Sequence, residues 1–259
     1  MRSRDFRRPT WMKHAISIDD LCVSFRDEPV LQDISLAFSN GSFTSIVGPS
    51  GCGKSTLLRS VASLVQPTTG SVALNLGQKN GGTAFVFQSP NLLPWRNVVQ
   101  NIQLPLELRG ESTTTQEQRA SDCLDLVGLL DRDRAKLPRM LSGGMQMRVS
   151  LARALVTNPE VLLLDEPFAA LDDILRQQLN EELLRLWTAK HWTTLFVTHN
   201  VSEAVYLAQR VVIMSSRPGR IANVVEVPFE YPRPASLRAS GEFASFAGRV
   251  SEELREVTV

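Results

Sequence analysis

Cysteine is scarce. Cys22, Cys52 and Cys123 are the only three in 259 residues. They are odd in number and widely spaced with no CxxC pair, so neither a disulfide framework nor a zinc site is indicated. A one-sided charge is missing too. Twenty-eight basic residues stand against 27 acidic, a net charge of +1, whereas a duplex-binding protein carries a strong basic excess. General nucleic-acid binding is therefore not suggested. No apolar run reaches the length of a membrane span. The basic start, MRSRDFRRPTWMKHA, lacks the apolar stretch of a signal peptide, and Arg7-Arg8 fails as a twin-Arg export signal for the same reason. The expectation is a cytosolic, soluble protein unless another component holds it to a membrane. Lysine is rare as well, five against 23 arginines, which makes each lysine informative.

What is present is an ordinary globular composition. The chain is 43% hydrophobic and 21% charged, which excludes collagen-like, low-complexity and wholly disordered readings. Residues 1–13 read as a basic arm. Short β-rich runs follow at 16–25, 34–38 and 43–47, the last running into a Gly-rich loop. Residues 54–65 carry Leu57, Leu58, Val61, Leu64 and Val65 at helical spacing. A strand is expected at 83–88, then a stretch from about 89 to 158 with Pro, Trp and helical segments. Beyond it, β-like runs at 161–165, 195–198 and 211–214 alternate with helical stretches at 173–190 and 202–209. Strands alternating with helices imply a parallel sheet with helices on both faces, and 89–158 would be a helical insertion. The Pro-punctuated chain from Arg217 reads as a linker or peripheral edge. It ends in a helix with Phe243, Phe246, Val250 and Leu254 on one stripe, expected to pack back on the core.

Two motifs carry chemistry. Gly48-Pro49-Ser50-Gly51-Cys52-Gly53-Lys54-Ser55 fits G-x-x-x-x-G-K-[ST] between a strand and a helix, the context that a P-loop requires. Glycines let successive backbone N–H groups converge on phosphate oxygens, and the helix N-terminus adds favourable partial charge. Lys54 would reach the β- and γ-phosphates, and the Ser55 hydroxyl would ligate Mg²⁺. Val161–Asp165, followed by Glu166, is an apolar strand ending in two carboxylates. Asp165 suits Mg²⁺ binding. Glu166, pointing to the other face by strand alternation, would orient or deprotonate a water. A third turn, Ser142-Gly143-Gly144, opens a helical stretch at 146–156. Ser142 can cap that helix, and the turn is also a second anion-binding device.

In this order, from about Ile16 to Ile221, these elements resemble the ATP-binding-cassette ATPases. The resemblance implies an α/β fold: a P-loop NTPase (RecA-like) core with a parallel-rich sheet, an inserted helical subdomain and an antiparallel β edge. It implies an ATPase domain over 14–225, with its core at 14–88 and 159–225, its helical subdomain at about 89–158, and a C-terminal linker and helix at 226–259. It assigns the phosphate segment to Gly48, Pro49, Ser50, Gly51, Cys52, Gly53, Lys54, Ser55 and the adjoining Thr56. Phe25 stands where the family's adenine-stacking aromatic stands, with a core aromatic on a strand as the other reading. Gln88 matches the glutamine that touches Mg²⁺ and the attacking water, which adds it to Ser55 and Asp165 as a metal contact. Ser142, Gly143 and Gly144 match the signature turn, which binds the γ-phosphate of the ATP held by a partner subunit. Glu166 is the catalytic carboxylate, Ala170-Leu171-Asp172 resembles the D-loop, and His199 matches the switch histidine. One P-loop per chain then implies two copies, or a copy and a paralogous cassette, sandwiching ATP.

Finer likeness lies in Ser89-Pro90-Asn91-Leu92-Leu93-Pro94-Trp95, in Leu141 to Gln146, and in Ser216-Arg217-Pro218-Gly219-Arg220-Ile221. These resemble the nitrate/sulfonate/taurine importer subfamily. The resemblance implies membrane permease subunits as partners, a solute-binding protein as an indirect one, and no nucleic acid. It places the chain on the cytoplasmic face of the inner membrane, held there by the permease. Trp95 would suit permease docking, or belong to the helical core. A cassette for a pyrimidine-type precursor and a soluble cassette acting on nucleic acid or ribosomes are the alternatives. A P-loop kinase would leave the 141–146 turn unexplained.

Overall fold

The computed structural model describes residues 14–77 and 82–258. The basic arm at 1–13 and residues 78–81 lie outside the described residues. Four runs expected as strands form the centre of one sheet: β3 (Phe43–Val47), β6 (Val161–Asp165), β7 (Thr193–Val197) and β8 (Arg210–Met214). With β5 (Thr83–Val86) and β9 (Ile221–Glu226) they align in the order β5-β6-β7-β3-β8-β9. Every pairing is parallel except β8 with β9, which is the antiparallel edge. β3, β6 and β7 are buried at every position, as expected of parallel strands covered on both faces.

Strand alternation divides these residues between two cores. Phe43, Val47, Leu162, Leu164, Phe196, Val211 and Ile213 face one cluster; Ile46, Val161, Leu163, Leu195, Val197, Val212 and Met214 face the other. The first core is covered by α2 (Val98–Leu108), α3 (Thr113–Leu126), α4 (Gly143–Leu155), α5 (Asp173–Lys190), α6 (Val201–Leu207) and α7 (Gly241–Glu256). The second lies under α1 (Lys54–Val61) and a three-stranded antiparallel sheet, β2-β1-β4, built from β1 (His14–Phe25), β2 (Glu28–Ser39) and β4 (Thr69–Leu74). At the C-terminal end, α7 buries Phe243, Phe246 and Val250, and Phe229 stacks against the first two.

Some boundaries differ from the sequence expectation. α1 stops at Val61 rather than at 65, because Ser63 takes a left-handed φ of 58° and Leu64 turns out to solvent. β4 and β9 bury little: four of the six β4 residues are exposed, as are four of β9, so pairing partners rather than periodicity make them strands. α4 begins at Gly143 rather than at 146, with Ser142 as its cap.

Candidate active site

The chemistry gathers where the parallel strands end. β3 runs into Gly48 and β6 ends in Asp165; His199 lies two residues beyond β7, and Gln88 two beyond β5. In open α/β sheets this carboxyl edge is where ligands bind.

The phosphate loop is shaped by glycines that cannot be replaced cheaply. Gly53 sits at φ 104°, and a Cβ there would stand 2.6 Å from Leu31 Cδ2; one on Gly48 would stand 2.8 Å from Cys52 Sγ. Gly53, the N-cap of α1, has no side chain with which to bond the first-turn N–H groups of that helix. Lys54 is 5% exposed, and its Nζ donates to the carbonyls of Gly48 and Pro49 at 2.8 and 2.9 Å. Cys52 is packing: burial pushes its thiol above the ordinary value, away from the reactive thiolate.

Ser55 Oγ donates to Asp165 Oδ1 at 2.7 Å. Burial pushes the Asp165 carboxyl upward, opposed by the Ser55 hydrogen bond and by the Arg59 guanidinium, 4.0 Å away. A hydroxyl and one carboxylate side by side are hard oxygen donors. They suit Mg²⁺, which takes one or two protein ligands and completes its shell with water and phosphate. Glu166 diverges from Asp165 by a different route from the one expected. It has left the strand in a left-handed turn at φ 46°, its N–H donating to Val197 O at 3.0 Å. That turn, not pleat alternation, aims its carboxylate, and Oε2 lies 3.2 Å from His199 Nδ1.

A cleft of about 350 Å³ adjoins this pair, lined by Phe25, Val30, Ser50, Gly51, Gly53, Lys54, Ser55, Thr56, Glu166 and Arg217. Phe25 is 49% exposed, so it is not the core aromatic that its strand position left open. Gln88 is exposed and does not line the cleft. Nor does any part of the Ser142–Gly144 turn. Ser142 is exposed and accepts from Met145 N at 3.3 Å; Gly144 is buried, where a Cβ would meet Leu175 Cδ2 at 2.5 Å. A Cβ there would force the Leu175 side chain of α5 to move.

Two site features escaped the sequence reading. Arg217 lines the cleft, and Gly219 backs the phosphate loop. The Gly219 N–H donates to Val30 O at 2.8 Å, and its carbonyl accepts from Gln32 N at 3.0 Å. A Cβ on Gly219 would lie 2.0 Å from Cys52 O. Only the 216–221 likeness pointed here, and it named no role. Gly219→Ala is therefore expected to displace the loop and weaken ATP binding by about tenfold, the scale of a clash costing 1–3 kcal/mol. Equilibrium titration with a fluorescent ATP analogue checks it; unchanged affinity would mean that the loop yields freely.

The ABC transporter family profile matches residues 31–169. The chain belongs to the ABC transporter family. Its relatives include the aliphatic sulfonates import ATP-binding protein SsuB 1 of Mesorhizobium japonicum, 46% identical over 233 residues, 89% of this chain and 84% of that one. The nitrate import ATP-binding protein NrtD of Synechococcus elongatus is 44% identical over 209 residues, 78% and 76% of the two chains. Among solved structures, a dimeric ATP-binding cassette in a post-hydrolysis state, bound to ADP and Pi, superposes with a TM-score of 0.72. It is 29% identical and covers 83% of this chain and all of that one. The cbiO1 cassette of Clostridium perfringens shares the fold, with a TM-score of 0.75 at 22% identity over 93% and 99% of the chains. As a member of this family the protein is an ATPase, with ATP as its nucleotide.

Proposed function

We propose that this ABC ATPase hydrolyses ATP within a two-cassette sandwich and powers import of a small solute of the sulfonate or nitrate class. The catalytic part rests on one observation, the Glu166 carboxylate held 3.2 Å from His199 at the rim of the phosphate cradle. The P-loop N–H groups and Lys54 hold the β- and γ-phosphates. Phe25 stacks the base, and Thr56 and Arg217 close the cleft wall. Ser55 and Asp165, with Gln88 beyond them, would hold Mg²⁺, which would supply neutralisation of the charge developing on the phosphates. Glu166 orients a water in line with the γ-phosphorus and takes its proton. His199 holds the carboxylate in that geometry, and positioning with electrostatics supplies the rate.

The second half of each site comes from the other cassette. Ser142, Gly143 and Gly144 are exposed or packed away from their own cleft, which supports a role toward a partner's ATP. Ser142→Arg tests this. Hydrolysis should be abolished, while nucleotide binding by the single subunit stays within about twofold of the parent. Loss of binding together with activity in the monomer would assign the turn to its own chain.

The importer reading draws on the named relatives and on the surface. No helix among the described residues is long and apolar enough to cross a membrane, and in this reading a permease supplies the path. Trp95 is 72% and Leu108 79% exposed. Leu108 rims a groove of about 340 Å³ with Phe85, Phe87, Leu104 and Pro105, which suits an apolar permease helix from the cytoplasmic side. In this reading residues 14–88 and 159–225 are the hydrolytic core and 89–158 the permease-facing subdomain. A solute-binding protein delivers cargo to that permease. Recovery of the tagged chain with a membrane permease from native membranes supports this; recovery with ribosomes or nucleic acid instead would overturn it.

A further inference from the structure

His199 stands just ahead of α6, a helix of seven residues. So short a helix does not hold itself, and its position depends on what grips its ends. The front grip is local. Asn200 Oδ1 accepts from Glu203 N at 3.0 Å, Thr198 Oγ1 accepts from Asn200 N at 3.0 Å, and that same hydroxyl donates to the buried Glu203 carboxylate.

The rear grip comes from the C-terminal segment. The last carbonyls of a helix have no partner within it. Here Arg233 Nη1 donates to the carbonyls of Val205, Tyr206 and Ala208 at 2.9, 2.8 and 2.9 Å. The Tyr231 hydroxyl donates to Leu207 O at 2.6 Å, and Tyr206 returns a bond from its hydroxyl to Arg233 O at 3.0 Å. Four consecutive carbonyls, 205 to 208, are thus closed by two side chains from a distant part of the chain. Arg233 is 5% exposed and takes part in no ion pair among the described residues. A buried cation without an acid is costly; its charge is met by the negative end of the helix, by Phe229 O, which accepts from Nε at 3.0 Å, and by the Tyr231 ring face 4.2 Å away. The segment is docked by α7 as well, whose Phe243, Phe246 and Val250 bury its apolar stripe.

We propose that Arg233 is a positioning residue for His199, holding α6 from behind so that the imidazole stays on Glu166. Residues 204 to 208 are all buried, so the helix transmits a shift at its rear over about 10 Å to its front. The proposal rests on the reading of His199 as the group that holds Glu166.

ATP turnover and equilibrium nucleotide binding of the full chain test it, with Arg233→Met, Arg233→Lys, His199→Ala and Arg233→Met/His199→Ala. Arg233→Met keeps the buried stem and removes the donors. It should lower kcat roughly 10- to 100-fold, the scale of a displaced catalytic group, while KM and nucleotide affinity stay within about twofold. Arg233→Lys, still able to reach helix carbonyls, should recover part of the rate. The double variant should be no slower than His199→Ala alone, because both changes remove one function. Parent-like turnover in Arg233→Met, losses that multiply in the double variant, or nucleotide affinity falling with kcat would each overturn the proposal. Should Arg233→Met not fold, Arg233→Lys decides by the same comparison with His199→Ala. Parent-like turnover in His199→Ala would instead remove the reading of His199, and the positioning role with it.

Discussion

Glu166→Gln is expected to bind Mg-ATP as the parent does and to lose turnover by roughly 10²-fold or more, the usual scale for a catalytic acid–base group. The substitution keeps size and hydrogen-bonding capacity but removes the proton acceptor and its field. It leaves Ser55 and Asp165, 2.7 Å apart, untouched. The left-handed turn that aims residue 166 is a backbone feature anchored by its N–H to Val197 O, so Gln should occupy the same place. With hydrolysis blocked, two copies should stay closed around ATP, each P-loop facing the other copy's Ser142–Gly144 turn. Size-exclusion chromatography should then show an ATP-dependent dimer that hydrolysis dissolves in the parent. Hydrolysis at the parent rate would overturn the role of Glu166. An inactive variant that remains monomeric at saturating ATP would leave the chemistry standing and assign closure to the membrane subunits.

Lys54→Ala should lose nucleotide binding. Lys54 is the one cation within the phosphate loop, and each hydrogen bond to a charged group contributes about 1.5–3 kcal/mol. ATP affinity should therefore fall roughly 10- to 100-fold, and turnover at moderate ATP with it. Its Nζ also donates to the Gly48 and Pro49 carbonyls, the first of these a buried contact, so the melting temperature should fall as well, by a few degrees. Calorimetric ATP titration beside a thermal melt separates the two effects. Unchanged affinity in a folded variant would overturn the phosphate assignment.

The sequence by itself determined the groups that act within one strand-turn-helix. Gly48 to Ser55, Asp165-Glu166 and the Ser142 cap are legible because their chemistry depends on backbone a few residues long. The buried strands Phe43–Val47 and Val161–Asp165 are equally legible, the second as an apolar run and the first as a short β-rich run leading into the glycine loop. Only the tertiary structure decided what depends on strand order. Whether Phe25 was core or cleft wall could not be read from its strand, since the answer lies in what β1 leaves uncovered beside the P-loop. The strands β4 and β9 escaped notice because their stability comes from pairing rather than from burial of their own side chains. Arg217, Gly219 and Arg233 read as parts of a Pro-punctuated linker. Their partners lie elsewhere in the chain: Pro29 O and the Glu28 carboxylate for Arg217, Val30 O and Gln32 N for Gly219, and the carbonyls of Val205, Tyr206 and Ala208 for Arg233. Apart from the Glu28 carboxylate these are backbone atoms, which every residue type carries, and so they leave no mark on the partner's sequence.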